Sequence, residues 1–223
     1  MNKKLFIEAI AKFSLGVLLL GLLIFLPAGT ISYVNGWIFM GLLFIPMFIA
    51  GIIMMVKNPK LLEERLNAKE KEKEQSLVVK LSGLMFVAMF VVTGLDYRYK
   101  WLVIDQWITY LAIGLFLFAY MLYAEVLREN TYLSRTIKVS DEQKVVDTGL
   151  YGIVRHPMYT ATIILFLAMP LILGSLIAFF IMLVYPFIIA FRAINEEKFL
   201  IKELSGYEEY TKKVKYRFIP FIW

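Results

Sequence analysis

The sequence predicts an all-α integral membrane protein with about six transmembrane helices, a C-terminal helical hairpin and a cytoplasmic amphipathic tail. Three observations lead to this fold. Hydrophobic residues make up 60% of the 223 residues and charged residues only 19%, where soluble domains carry about a quarter charged. The apolar residues gather into runs close to the ~17–25 residues a spanning helix needs. Lys and Arg cluster at the ends of those runs, with a formal net charge of +6, as expected of loops facing anionic headgroups.

The first run extends from about Phe13 to Pro27, behind Lys3, Lys4 and Lys12. No small-x-small cleavage site follows it cleanly, so a retained span is expected rather than a removed signal. The second is about Trp37 to Val56, the third Leu77 to Leu95 and the fourth Trp107 to Leu127. The last two, Pro157 to Leu173 and Ser175 to Phe191, are separated by Pro170 and Gly174 and predict a tight helical hairpin. Strict alternation is absent, which argues against membrane strands. The stretch Ala28 to Gly36 has no Lys or Arg, whereas Lys57 to Lys80 is rich in Lys and holds Arg65, and the alternation continues to a basic tail after Arg192. Both termini are therefore expected in the cytoplasm, with Tyr33, Trp37, Trp101 and Trp107 as interfacial aromatics. The charged stretch Asn58 to Ser76 predicts a solvated surface helix. The chain reads as a single membrane domain over 1–223.

Composition also excludes classes of function. There are no cysteines and one histidine, which removes thiolate chemistry and makes a conventional metal site an expected absence. The basic excess lies at span ends, so nucleic acid is not an expected partner. The apolar runs contain almost no charge beyond Glu125, which speaks against a transport path.

Chemistry concentrates in Gln143 to Ala161, which holds the lone histidine. Pro157 suits the first turn of a helix, placing His156 near the N-cap and Tyr159 one turn inside. Free N–H groups there suit an anionic ligand group. Gly149 and Gly152 permit turns that other residues resist. The same local geometry also fits an interfacial cap, with Arg155 on phosphates, His156 closing the helix and Tyr159 in the aromatic belt. A second stretch, Arg192 to Glu197, places Arg192 and Glu196 on one helical face with Glu197 adjacent. It suits a cationic ligand or a solvated helix end. The third, Gly206 to Pro220, with Tyr207, Tyr210, Val214 and Arg217, predicts an amphipathic helix on the membrane.

The order of these elements carries a resemblance: Gly149-x-Tyr151, then Arg155-His156-Pro157-x-Tyr159 opening a hairpin, then Arg192 and Glu196-Glu197, then Tyr207-x-x-Tyr210 and Ile219-Pro220. This pattern resembles the isoprenylcysteine carboxyl methyltransferase family and its phospholipid methyltransferase relatives. It covers about 129–223, the implied cofactor-binding region. Where that family usually has Gly-Pro-Tyr this chain has Gly149-Leu150-Tyr151, and Ala161 stands where Gly is frequent. The resemblance implies S-adenosyl-L-methionine as cofactor, on the cytoplasmic side. Gly149, Tyr151, Arg155, His156, Pro157 and Tyr159 would line its site, with Glu196 completing it. Arg192 and Glu197 would be catalytic, Arg192 holding the carboxylate of a lipid-like acceptor and Glu197 orienting Arg192. An isoprenylcysteine-like acceptor is expected; a phospholipid amine acceptor and a non-catalytic membrane scaffold are the alternatives.

Overall fold

In hydrocarbon, backbone N–H and C=O groups must be satisfied within the segment, so long apolar runs fold as helices. The computed structural model describes residues 3–66, 73–130, 132–133, 139 and 143–223, and these are all helix, turn or loop, with no strand among them. The helices are α1 (Lys3–Ala28), α2 (Val34–Lys57), α3 (Pro59–Leu66), α4 (Lys73–Tyr99), α5 (Gln106–Glu129), α6 (Pro157–Ile172), α7 (Leu176–Met182), α8 (Tyr185–Glu203) and α9 (Tyr207–Lys213).

Among the described residues, five segments are long and apolar enough to cross a membrane: Lys3–Ala28, Val34–Lys57, Val78–Tyr99, Gln106–Glu129 and Leu176–Glu203. The expected sixth, α6, has 16 residues. At 1.5 Å per residue it reaches about 24 Å, short of the ~30 Å hydrocarbon core. Of the about six spans expected, five helices thus have spanning length and α6 is a shorter apolar helix. Its turn at Leu173–Ser175 leads into α7, so the hairpin exists. The returning arm is broken at Leu183–Val184 because Pro186, in the first turn of α8, has no N–H for a continuous ladder.

The helices pack α5 along α6, α1 along α4 and α4 against α7. Ile24, Phe39, Met89, Phe116, Ile172 and Met182 are fully buried between them. Most other apolar side chains on α1, α2 and α5 are exposed, as lipid-facing surfaces are.

At the end of the bundle formed by the α6–α7 turn, Asp96 is buried and accepts from Ser175 Oγ at 2.5 Å and from the Leu102 N–H at 3.1 Å. Ser175 in turn caps α7 at the Ala178 N–H. Tyr33, expected at the interface, is 1% exposed. Its hydroxyl donates to the Leu173 carbonyl and its ring stacks on Tyr97 at 4.0 Å, so it pins the turn instead of meeting headgroups. Trp37, Trp101 and Trp107 are more than half exposed.

At the opposite end, α3 realises part of the expected surface helix, with Glu63 exposed and Leu62 buried. Lys12 Nζ donates to the Leu66 carbonyl at 2.9 Å. The charge alternation continues through 67–72, which lies outside the described residues.

Close packing of α1 on α4 depends on Gly94. A Cβ there would lie 2.7 Å from the Ile24 carbonyl and 2.9 Å from the Ala28 nitrogen, both backbone atoms that cannot swing away. Gly94→Val is expected to destabilise the protein by about 1–3 kcal/mol. Gly51→Val, at a position with open space around it, should leave the unfolding temperature in detergent nearly unchanged. Equal melting of the two variants would refute this account of the helix contact.

Candidate active site

The Arg-His-Pro segment folds as its residue types require. Pro157 occupies the first turn of α6 and His156 is the N-cap, without a side-chain capping bond. The His156 ring turns away from its own helix end: Nε2 lies 3.0 Å from Glu197 Oε1. A carboxylate only accepts, which puts the proton on Nε2. Arg155 Nε donates to the same oxygen at 2.6 Å, and Arg217 Nε to Glu197 Oε2 at 2.9 Å. Arg155, His156 and Glu197 are 7%, 6% and 5% exposed. Two guanidiniums and an imidazole around one buried carboxylate form a charge-assisted network rather than a headgroup contact, which decides against the interfacial cap.

Continuous helix past Phe191 sets the second layer. Arg192 and Glu196 share a face of α8, as the four-residue spacing predicts. Arg192 Nε donates to the Tyr159 hydroxyl at 3.1 Å, and that hydroxyl donates to Glu196 Oε2. Glu197 points the other way. The partner that orients Arg192 at Nε is therefore Tyr159, a correction of the expected Glu197, whose oxygens are engaged by Arg155, His156 and Arg217.

The C-terminal segment departs from the expected amphipathic helix. α9 stops at Lys213, Val214 is extended, and residues 215–218 continue as irregular chain with Phe218 buried. The reason lies in the donors it meets. Arg155 Nη1 donates to the carbonyls of Val214 and Lys215, at 2.7 and 2.9 Å. The N–H groups of Arg155 and His156 donate to the carbonyls of Tyr216 and Arg217, both at 2.9 Å. A helix would have consumed those carbonyls internally. The same bonds occupy N–H groups just before α6, so the expected anion site at this helix start is largely taken up by the chain itself.

A cleft of about 830 Å³, counting its open mouth, lies between these elements and is lined by Tyr151, Arg155, His156, Tyr159, Arg192, Glu196, Tyr207 and Tyr210, among others. Burial pushes the phenols of Tyr151, Tyr207 and Tyr210 up, keeping them neutral hydrogen-bonding groups. Tyr210 donates to the Tyr151 carbonyl at 2.7 Å. A second groove runs between α4, α6 and α8, lined by apolar residues such as Val79, Phe86, Phe166 and Ile189, with Arg65, Tyr123 and Tyr185. Met158, Tyr159 and Arg192 belong to both spaces.

Of the residues the sequence singles out, Tyr151, Arg155, His156, Tyr159, Arg192 and Glu196 line the cleft. Gly149, Pro157 and Glu197 stand behind its wall and position those that do. Sequence reasoning missed the bond from Arg217 to Glu197 and the four carbonyls of 214–217. Spacing offers no signal for this: Val214 and Phe218 are buried and Lys215 is exposed, and a separation of four residues fits a helix as well. Among the described residues no group of three or more His, Cys, Asp or Glu is placed to hold a metal ion.

Residues 107–205 match the family model of the phospholipid methyltransferases. This segment, a little under half of the chain, runs from α5 to the end of α8 and so begins a whole span before the motifs. The likeness read from those motifs is borne out as far as Glu197, and the chain is similar to that family over this segment, which ends before Tyr207. The chain is also 33% identical over 91 residues to a Delta(14)-sterol reductase of Mus musculus, covering 40% of this chain and 22% of that protein. It is 33% identical over 107 residues to a probable 7-dehydrocholesterol reductase of Acanthamoeba polyphaga mimivirus, covering 43% and 24% respectively. It thus spans under a quarter of the length of either relative.

Proposed function

We propose, from the phospholipid methyltransferase match at 107–205, that the chain is an integral membrane S-adenosylmethionine-dependent methyltransferase acting on a lipid-like acceptor. The best-supported acceptor group is a carboxylate on an isoprenylcysteine-like lipid. One observation carries the proposal: His156 and Glu197, 41 residues apart, meet at 3.0 Å behind a tyrosine-lined cleft that shares Tyr159 and Arg192 with a groove between the spans. The cleft would face the cytoplasm, because the most basic loops lie at its end of the bundle.

The residues suit the donor's chemistry. Glu196 offers an acid to an ammonium, Arg155 and Lys144 offer cations to a carboxylate, and tyrosine faces suit a sulfonium. When bound, S-adenosylmethionine would supply a methyl group activated by its sulfonium. The chain's own contribution is placement. Arg192, held by Tyr159, would grip the acceptor carboxylate at the junction, while the apolar groove keeps the lipid chain out of water. A carboxylate is already ionised at neutral pH, with an ordinary pKa of about 4, so no base is needed. Alignment and exclusion of water supply the acceleration.

The family match supports a second acceptor, a phospholipid amine, which must lose a proton before attack. Glu196, already accepting from the Tyr159 hydroxyl, is the candidate base. A pH–rate profile rising through neutrality favours the amine, and a flat one the carboxylate.

The test is calorimetric binding of S-adenosylhomocysteine to the purified protein in detergent, with a reduced nicotinamide dinucleotide in parallel. Methyl transfer to prenylcysteine and lipid-amine acceptors is then measured. Binding of the first compound is expected. Binding of the nicotinamide compound alone would replace this proposal with a reductase related to the sterol enzymes, and binding of neither would leave a scaffold.

A further inference from the structure

Glu129 ends α5, in the last turn of a helix where the macrodipole disfavours an acid. Its carboxylate is used by a loop 20 residues on. The Leu150 N–H donates to both oxygens, at 3.0 Å to Oε2 and 3.2 Å to Oε1. Gly149 makes this approach possible: its φ is +52°, and a Cβ there would fall on the Glu129 carboxylate. The neighbouring Asn130 donates through Nδ2 to the Tyr151 hydroxyl at 3.1 Å. On its other side the loop is clasped by α9, through Tyr210 to the Tyr151 carbonyl and Lys213 to Asp147 at 2.6 Å. A proline in place of Leu150 could not make the Glu129 bond, having no N–H. The bond therefore requires a residue other than proline at this position.

We infer that Glu129 is a positioning residue: it latches the Gly149-Leu150-Tyr151 turn to the end of the α5 span and so sets the Tyr151 ring in the wall of the donor cleft. The inference rests on the methyltransferase proposal for what the cleft holds, but the latch can be tested without a ligand. Amide exchange at Leu150 should be slow in the native protein, fast in Glu129→Ala, and slow again in Glu129→Gln, which keeps an acceptor oxygen. Binding of S-adenosylhomocysteine should weaken about tenfold in Glu129→Ala and in Leu150→Pro, the scale of one charge-assisted hydrogen bond. Glu129→Gln should recover most of it. At saturating donor, turnover should stay near the native value, so the effect falls on KM.

In the double variant Glu129→Ala, Leu150→Pro, the losses should not add, since both remove one bond. Unchanged Leu150 exchange in Glu129→Ala overturns the latch. Faster exchange with native donor affinity overturns the positioning role. A native protein that binds no S-adenosylhomocysteine, while its exchange pattern follows the variants, removes the methyltransferase proposal and reduces the latch to a loop anchor, which also overturns the role.

Discussion

Glu197→Gln is expected to cost about 3–5 kcal/mol of stability and to abolish donor binding, the largest effect of any single change in the site. The amide matches the carboxylate in shape but carries no charge. Arg155, with its side chain 6% exposed, would then be buried without its counter-ion, and the amide NH2 would face a donor, either Arg217 Nε or the Arg155 and His156 pair, since only one oxygen remains to accept. Arg217, with its side chain 28% exposed, can recover hydration more readily than Arg155. Arg217→Ala should therefore be milder than Glu197→Gln. Thermal unfolding in detergent measures both. Glu196→Gln serves as the comparison, because that half-buried carboxylate faces the cleft and Tyr159. It should alter ligand affinity while leaving stability within about 1 kcal/mol. If Glu197→Gln melts like the native protein, the charge cluster does not hold the C-terminal segment in place.

The second large effect is kinetic. Arg192→Leu is expected to lower turnover by about 10²–10³-fold, the usual scale for losing one preorganised group aimed at the reacting centre, with little change in S-adenosylhomocysteine affinity. Arg192→Lys should recover only part of the rate. It restores a charge but not the planar fork that holds a carboxylate at two points. Single-turnover rates with donor and acceptor both saturating would separate this from weakened binding. A loss confined to donor affinity would move Arg192 out of the proposed acceptor site and into the proposed donor cleft.

Much of this architecture is legible in the sequence. The apolar runs locate the middle of each long helix, since a spanning segment must be long and uncharged and few other folds tolerate that, while α1 starts ahead of Phe13 at Lys3 and α8 runs past Phe191 to Glu203. Pro157 places the start of α6, and the Arg192–Glu196 spacing yields the shared face, both by local rules that need no neighbours. Other details escape local rules. The break at Leu183–Val184 lies within one unbroken apolar run, where hydropathy carries no signal for a turn, and Pro186 alone marks it. Tyr33 looks like a belt aromatic by position, but its burial depends on the α6–α7 turn, which lies 140 residues away along the chain. Val214 to Phe218 suggests a helix by sequence because apolar and basic residues mix there in a pattern that fits more than one period. Its conformation is set by Arg155, whose donors lie 59 and 60 residues distant.

By itself the sequence determined that this chain is a helical membrane protein and which short motifs could carry chemistry. Both follow from composition and near-neighbour spacing, and so from forces that act along the chain. Only the tertiary structure decided that His156 binds Glu197, that Glu196 and Arg192 share Tyr159, and that the tail leaves its helix and offers its carbonyls to the site. A buried charge takes whichever partner the packed helices bring within about 3 Å, and that choice is made across the bundle rather than along the sequence.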